Sequence, residues 1–192
     1  MLLFRDAAPR EILARLLEGD PLELRRRSVE RVRSQALLLD AGRLHLRTVA
    51  HVARHASAYR GAPPIDVWIA EKLRCSTSEL LEEDAERAHS GEIPALRHGP
   101  LMEQIARTLG LEITTLALGL VAFHKAAHEV RSAFQGLVID RRPLDAWCRT
   151  NDIAPDRAKA AVRRAFWALG VRREIDIDEF LAEQGEEDGH DS

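Results

Sequence analysis

Aromatic side chains are scarce in this sequence: Phe, Trp and Tyr make up 5% of 192 residues, and Tyr occurs once. Leu, Ala, Arg and Glu dominate instead, and with no sustained apolar/polar alternation that balance points to helices rather than strands. Cysteine is equally sparse. Cys75 and Cys148 lie far apart without metal-type spacing, which excludes a disulfide framework and fits buried thiols in a reducing compartment. No apolar run is long enough to span a bilayer, and the opening MLLFRDAAPREIL is too interrupted by charge to be a signal peptide. The expectation is a cytoplasmic protein with no membrane partner.

Catalytic signatures are missing as well. There is no phosphate-cradling Gly-rich loop, no nucleophile with a placed base and no pair of carboxylates on an apolar helix. His51 with His55, and His124 with His128, are each spaced four apart on one helix face. Neither pair has an obvious third ligand or a metalloprotease Glu, so they read as surface or packing histidines. The expectation is therefore a protein that is not an enzyme, with no metal and no cofactor.

What is present is a chain of 45% apolar residues, enough for one ordinary core or two small ones. The net charge of −3 hides an uneven distribution. Arg141, Arg142, Arg149, Arg157, Lys159, Arg163, Arg164, Arg172 and Arg173 crowd one stretch, opposed only by Asp145, Asp152 and Asp156. The following EIDIDEFLAEQGEEDGHDS is acidic without a single Lys or Arg. Such a tail reads as a solubilising end, and as the alternative it folds back over the basic module and competes there for phosphate.

Periodicity and punctuation divide the chain. PREILARLL, Pro9 to Leu17, starts on Pro and stops at Gly19-Asp20-Pro21. A second helix is expected through LELRRRSVERVRSQALLL, and a third where Leu44, Thr48, Val49, Val52, Ala53 and Ala56 recur at helical steps. YRGAPPID is a loop, followed by a helix carrying Trp68, Ile69, Leu73, Leu80 and Leu81, in which the Ser76–Glu79 capping pair favours a fresh start. EEDAERAHSGEIPALRHGP, charged and broken by Gly and Pro, is the linker candidate. LVAFHKAAHEVRSAFQGL reads as one long helix. The fold class expected is all-α: two small helical domains, 1–84 and 101–173, joined by a linker over 85–100, with an acidic tail over 174–192.

Near the end, PLDAWCRT, a turn through Asn151 and Asp152, and IAPDRAKAAVRRAFWAL fit a helix-turn-helix. Leu144, Trp147 and Cys148 would face inward and hold the second helix, which packs through Ile153, Ala158, Val162 and Leu169. Asp156, Arg157, Lys159, Ala160, Arg163 and Arg164 would then face outward. Arg and Lys at such positions contact phosphates or donate to guanine edges.

The same stretch resembles the promoter-reading end of sigma-70 family RNA polymerase sigma factors of the extracytoplasmic-function type, in register and without a gap. FQGLVIDRRPLDAWC, Phe134 to Cys148, is similar to the helix and turn that precede it there. YRGAPPIDVWI, Tyr59 to Ile69, resembles the family's FRG-x-x-x-F-x-x-W-L segment, and DAGRLHLRTV, Asp40 to Val49, its DAEDLVQETF box. The resemblance implies a region-2-like domain followed by a region-4-like helix-turn-helix domain. It implies core RNA polymerase and promoter DNA as partners, and an anti-sigma factor as a further one. Asp40, Leu44, Arg47 and Thr48 would meet polymerase. Arg157, Lys159, Ala160, Arg163 and Arg164 would meet DNA, as would Arg60 in the loop Arg60 to Ile65, where the family captures an unstacked base; the two prolines there equally make a plain rigid connection.

The departures concern charge. The family's acidic and Gln positions that dock the polymerase clamp are here Gly42, Arg43, Leu46 and Arg47. The helix facing the minus-ten element carries Asp66, Glu71, Glu79, Glu82, Glu83 and Asp84 against Lys72 and Arg74, a poor match for a phosphate backbone. The alternative expectation is therefore a sigma-like protein that serves as a regulatory interaction module without opening promoters.

Overall fold

The computed structural model of the chain describes residues 9–90 and 100–186, and all regular structure among them is helical. The helices are α1 (Pro9–Gly19), α2 (Leu24–Ser34), α3 (Ala41–His55), α4 (Ile65–Ser90), α5 (Pro100–Leu109), α6 (Ile113–Lys125), α7 (His128–Phe134), α8 (Leu144–Asn151), α9 (Pro155–Leu169) and α10 (Ile177–Glu186). The described residues fall into two compact units, one running to Ser34 and resuming over Leu38–Glu83, the other made of Gln35–Leu37 and everything from Asp84 on. No single helix among them is long and apolar enough to cross a membrane.

In the first unit α3 is central, flanked by α1 and α2. Asp40 starts it: its backbone is extended and its carboxylate accepts the Arg43 N–H at 2.6 Å, so the lapse of the apolar pattern at 40–43 is a capped helix start. Leu44, Val49, Val52 and Ala53 form the buried stripe, with Ile12 and Leu16 of α1 and Leu24 of α2 completing the core.

In the second unit α9 is central, packed by α6 and α7 and flanked by α8 and α10. Pro155 occupies its first turn and Gly170 ends it at φ 102°, with the Val171 N–H donating to the Phe166 carbonyl and the Gly170 N–H to that of Trp167. Ala158, Ala161, Val162, Ala165, Phe166 and Leu169 make a buried stripe of mostly small residues. Where α6 crosses, a Cβ on Gly119 would lie 2.4 Å from the Leu169 carbonyl, so this approach tolerates only hydrogen. Four of the five phenylalanines meet edge to face in one row: Phe123 to Phe134 at 5.4 Å, Phe134 to Phe166 at 6.1 Å, Phe166 to Phe180 at 5.1 Å.

Five expectations change. α2 stops at Ser34, because Ala36 turns to φ 47° and Ala36 to Leu39 are buried outside any helix. α4 passes through Ser76 without a fresh start: Ser76 is buried and the Thr77 hydroxyl donates to the Leu73 carbonyl at 2.7 Å, within the helix. Residues 85–90 of the expected linker continue α4, while 91–99 lie outside the described residues. The single long helix divides at Ala126 and Ala127, both extended; Arg131 donates to the freed carbonyls of His124 at 3.0 Å and Ala126 at 2.7 Å, which satisfies the end of α6. The acidic tail is not merely solvated: 177–186 form α10, with Ile177 fully buried, and 187–192 lie outside the described residues.

Candidate nucleic-acid interface

α8 and α9 are joined by Asp152, Ile153 and Ala154. Asp152 takes the left-handed conformation, φ 53° and ψ 48°, and both its N–H and that of Ile153 donate to the Cys148 carbonyl. Asp is among the few non-glycine residues that visit this region readily, which is why Asn-Asp can make the turn. Trp147 and Cys148 are buried, and Trp147 lies so close to Gly136 that a Cβ there would fall 2.1 Å from the indole Nε1. α8 is thereby fixed on the π-turn Gln135–Ile139 that extends α7. Ala158, Val162 and Leu169 are fully buried and Ile153 half-buried, so the inward face of α9 is the one its periodicity predicts.

On the other face, Asp156, Arg157, Arg163 and Arg164 are exposed, and Lys159 and Ala160 are half-buried. The four cations are not equivalent. Arg157 makes a two-pronged ion pair with Glu129 of α7, Nε to Oε1 at 2.7 Å and Nη2 to Oε2 at 2.6 Å. That hydrogen bonding holds the Glu129 carboxyl below its ordinary range and raises the Arg157 guanidinium. Lys159 Nζ pairs with the Asp178 carboxylate of α10, which holds the ammonium above its ordinary value. Arg163 and Arg164, by contrast, are exposed and make no contact-distance ion pair among the described residues, although the Arg164 charge also helps to hold the Glu129 carboxyl down.

The neighbouring cations divide in the same way. Arg142 and Arg149 are exposed. Arg172 folds back over the Trp167 ring at 4.3 Å and donates to the Trp167 carbonyl at 2.6 Å, and Arg173 reaches the Leu109 carbonyl at 3.4 Å. Arg60 belongs to the first unit, exposed in its loop, with Nη1 donating to the Ser57 carbonyl at 2.7 Å.

The residues expected to meet polymerase fare differently. Leu44 and Thr48 are fully buried, the Thr48 hydroxyl donating to the Leu44 carbonyl at 2.7 Å, so both are core and neither presents a surface. Their match to the family box reflects helix packing. Asp40 is exposed but spent on capping α3. Arg47 bridges to Glu79 at 3.2 Å and Glu83 at 2.7 Å, with His51 Nε2 also on Glu79 at 2.9 Å. Its positive charge, read from sequence as a reversed clamp contact, is balanced by α4. Leu46, 59% exposed, is what that face of α3 offers instead.

Of the paired histidines, His128 is exposed and the other three are engaged locally. His51 engages Glu79, and His55 Nδ1 contacts the His51 carbonyl at 2.8 Å. Burial, reinforced by the Arg131 charge, pushes His124 down to about 4. No group of three or more metal-ligating side chains occurs among the described residues.

Sequence reasoning missed Glu129 and Asp178, the two acids that hold cations of α9. Glu129 lies 28 positions from Arg157, beyond any local pattern. Asp178 was visible only as part of an acidic run next to a basic one. Compared with known proteins, the chain matches no family model, no curated protein and no solved structure.

Proposed function

We propose that the chain is a sigma-factor-like transcription initiation protein that binds core RNA polymerase and promoter DNA, with α8 and α9 as its helix-turn-helix. The observation that carries this reading is the pairing of two features on α9. A fully buried stripe, Ala158, Val162 and Leu169, fixes the helix from behind, while Arg157, Lys159, Arg163 and Arg164 emerge on the side away from it. A short connection through Asp152 to Ala154 braces α9 against α8, the construction that lets a second helix enter a major groove. The first turn of α9 has no side-chain cap on its N–H groups, but Pro155 lacks an N–H and the Asp156 carboxylate lies in the same turn, so the phosphate contacts are expected from the basic side chains and not from the helix end. Exposed Arg142 and Arg149 on the α8 side extend the positive field. The sequence resemblance supplies the promoter and polymerase as the specific partners.

A second reading is a sigma-like interaction module that does not open promoters. It draws support from the first unit, where Leu44 and Thr48 are core, Arg47 is neutralised by Glu79 and Glu83, and the outer face of α4 is acidic. Capture of core RNA polymerase by the purified chain, followed by transcription from genomic DNA, separates the two. Capture with discrete start sites supports initiation. Capture without transcription supports the second reading, and absence of capture removes polymerase from both. Lys159→Glu with Arg164→Glu is expected to abolish DNA retention and leave polymerase capture unchanged.

A further inference from the structure

The helix that follows the basic module is built to sit on it. Asp176 starts α10 by accepting the N–H groups of Asp178 at 2.9 Å and Glu179 at 3.3 Å on its carboxylate. Ile177 is fully buried, and Phe180 stands edge to face against Phe166 of α9 at 5.1 Å. These two apolar anchors lie one turn apart, and between them the chain presents Asp178 to Lys159. The contact is lopsided: the Lys159 side chain is 22% exposed and the Asp178 side chain 63%. The lysine is therefore held in place while its acidic partner remains open to exchange. Glu179, beside it, is exposed and acidic as well.

We infer that α10 is an intramolecular guard on α9, with the Asp178 carboxylate occupying the position at which a nucleic-acid phosphate pairs with Lys159. The inference rests on the reading of α9 as a nucleic-acid-contacting helix. The acidic side of the pair is open to water, the Asp178 side chain being 63% exposed, so a phosphate can replace Asp178 by a change of side-chain rotamer while Ile177 and Phe180 stay seated. A lone anion gains little from that exchange. A duplex that also engages Arg163 and Arg164 gains several contacts at once, so the guard raises the threshold for weak polyanions more than for a well-fitted duplex.

The test is the affinity of the full chain for a fluorescent duplex, read by anisotropy at low and moderate salt, with circular dichroism confirming each variant's helicity. Asp178→Asn removes the charge and keeps both anchors. It is expected to tighten binding about threefold to tenfold at low salt, and the gain should vanish when Lys159→Gln is added. Glu179→Gln, which removes an equal charge outside the ion pair, should give a clearly smaller gain. An unchanged affinity in Asp178→Asn overturns the inference, and so does a gain that persists with Lys159→Gln, because that is a net-charge effect alone. If the wild-type chain binds duplex and Arg163→Gln with Arg164→Gln weakens it while Asp178→Asn changes nothing, the guard falls and the reading of α9 stands. If neither the wild type nor any variant binds, both fall.

Discussion

In the first unit the charged side chains along α3 and α4 answer one another: Arg47 meets Glu79 and Glu83, and Arg27 reaches Asp66 at 2.5 Å, while His51 Nε2 adds a hydrogen-bond contact to Glu79. In the second unit the cations of α9 outnumber the acids beside them. Glu129 and Asp178 hold two, and Arg163 and Arg164 remain exposed. Both units are built alike, a central helix with an apolar stripe and flanking helices, so the difference lies in what the outer face does with its charge. A balanced seam between two helices of one unit contributes to positioning them and leaves little field outside. An unbalanced face on a rigid helix keeps a field that reaches a polyanion. This contrast is the reason the proposed nucleic-acid interface is assigned to α9 and not to α4.

The largest expected effect breaks the second unit alone. Phe166 joins Phe134 to Phe180 in the aromatic row, so Phe166→Ala removes two edge-to-face contacts and opens a cavity against α9. A loss of about 3–5 kcal/mol is expected in urea unfolding followed by Trp147 and Trp167 fluorescence, both in the second unit, in a Trp68→Phe background that silences the first unit's tryptophan. A loss under about 1 kcal/mol would show that α10 and the row are not part of its core.

Acid is expected to separate the units next. His124 is held neutral by burial, at about 4 against an ordinary 6.5. A depressed folded value means the unfolded chain takes up the proton first. The stabilisation is therefore complete above the ordinary value and is lost as pH falls through the window from 6.5 to about 4. Within that window the second unit should lose about 1.4 kcal/mol per pH unit from this group, and His124→Gln should flatten the slope. An unchanged slope in the variant would show that His124 is not the group responsible.

A smaller effect belongs to the first unit. Asp40→Ala removes the acceptor for the Arg43 N–H and should cost about 1 kcal/mol of stability, without altering nucleic-acid binding. A loss of core RNA polymerase capture without loss of stability would return Asp40 to the polymerase-docking role that the sequence resemblance implies.

Local chemistry explains which parts of this architecture could be read from sequence. α1, α8 and α9 start and stop at Pro9, Gly19, Asp152, Pro155 and Gly170, residues whose backbone preferences act over a turn or less. The buried stripe of α9 repeats at helical spacing, so Ala158, Val162 and Leu169 were visible as its inward face. The division at Ala126 was not visible, because alanine favours helix and the break is stabilised from elsewhere by the Arg131 guanidinium. Ala36 to Leu39 looked like helix for the same reason, an apolar run whose conformation is decided by burial. The site was legible as a basic face. Its partition into held and open cations depends on Glu129 and Asp178, brought to α9 by packing of separate helices.

The most direct measurement is duplex affinity against salt for the full chain and for Arg163→Gln with Arg164→Gln. If these two arginines contact phosphate, affinity falls in the variant and the slope of log affinity on log salt drops by about 2, since each phosphate contact contributes roughly 0.9. Identical affinity and slope in the two proteins would contradict the assignment of α9 as the nucleic-acid interface.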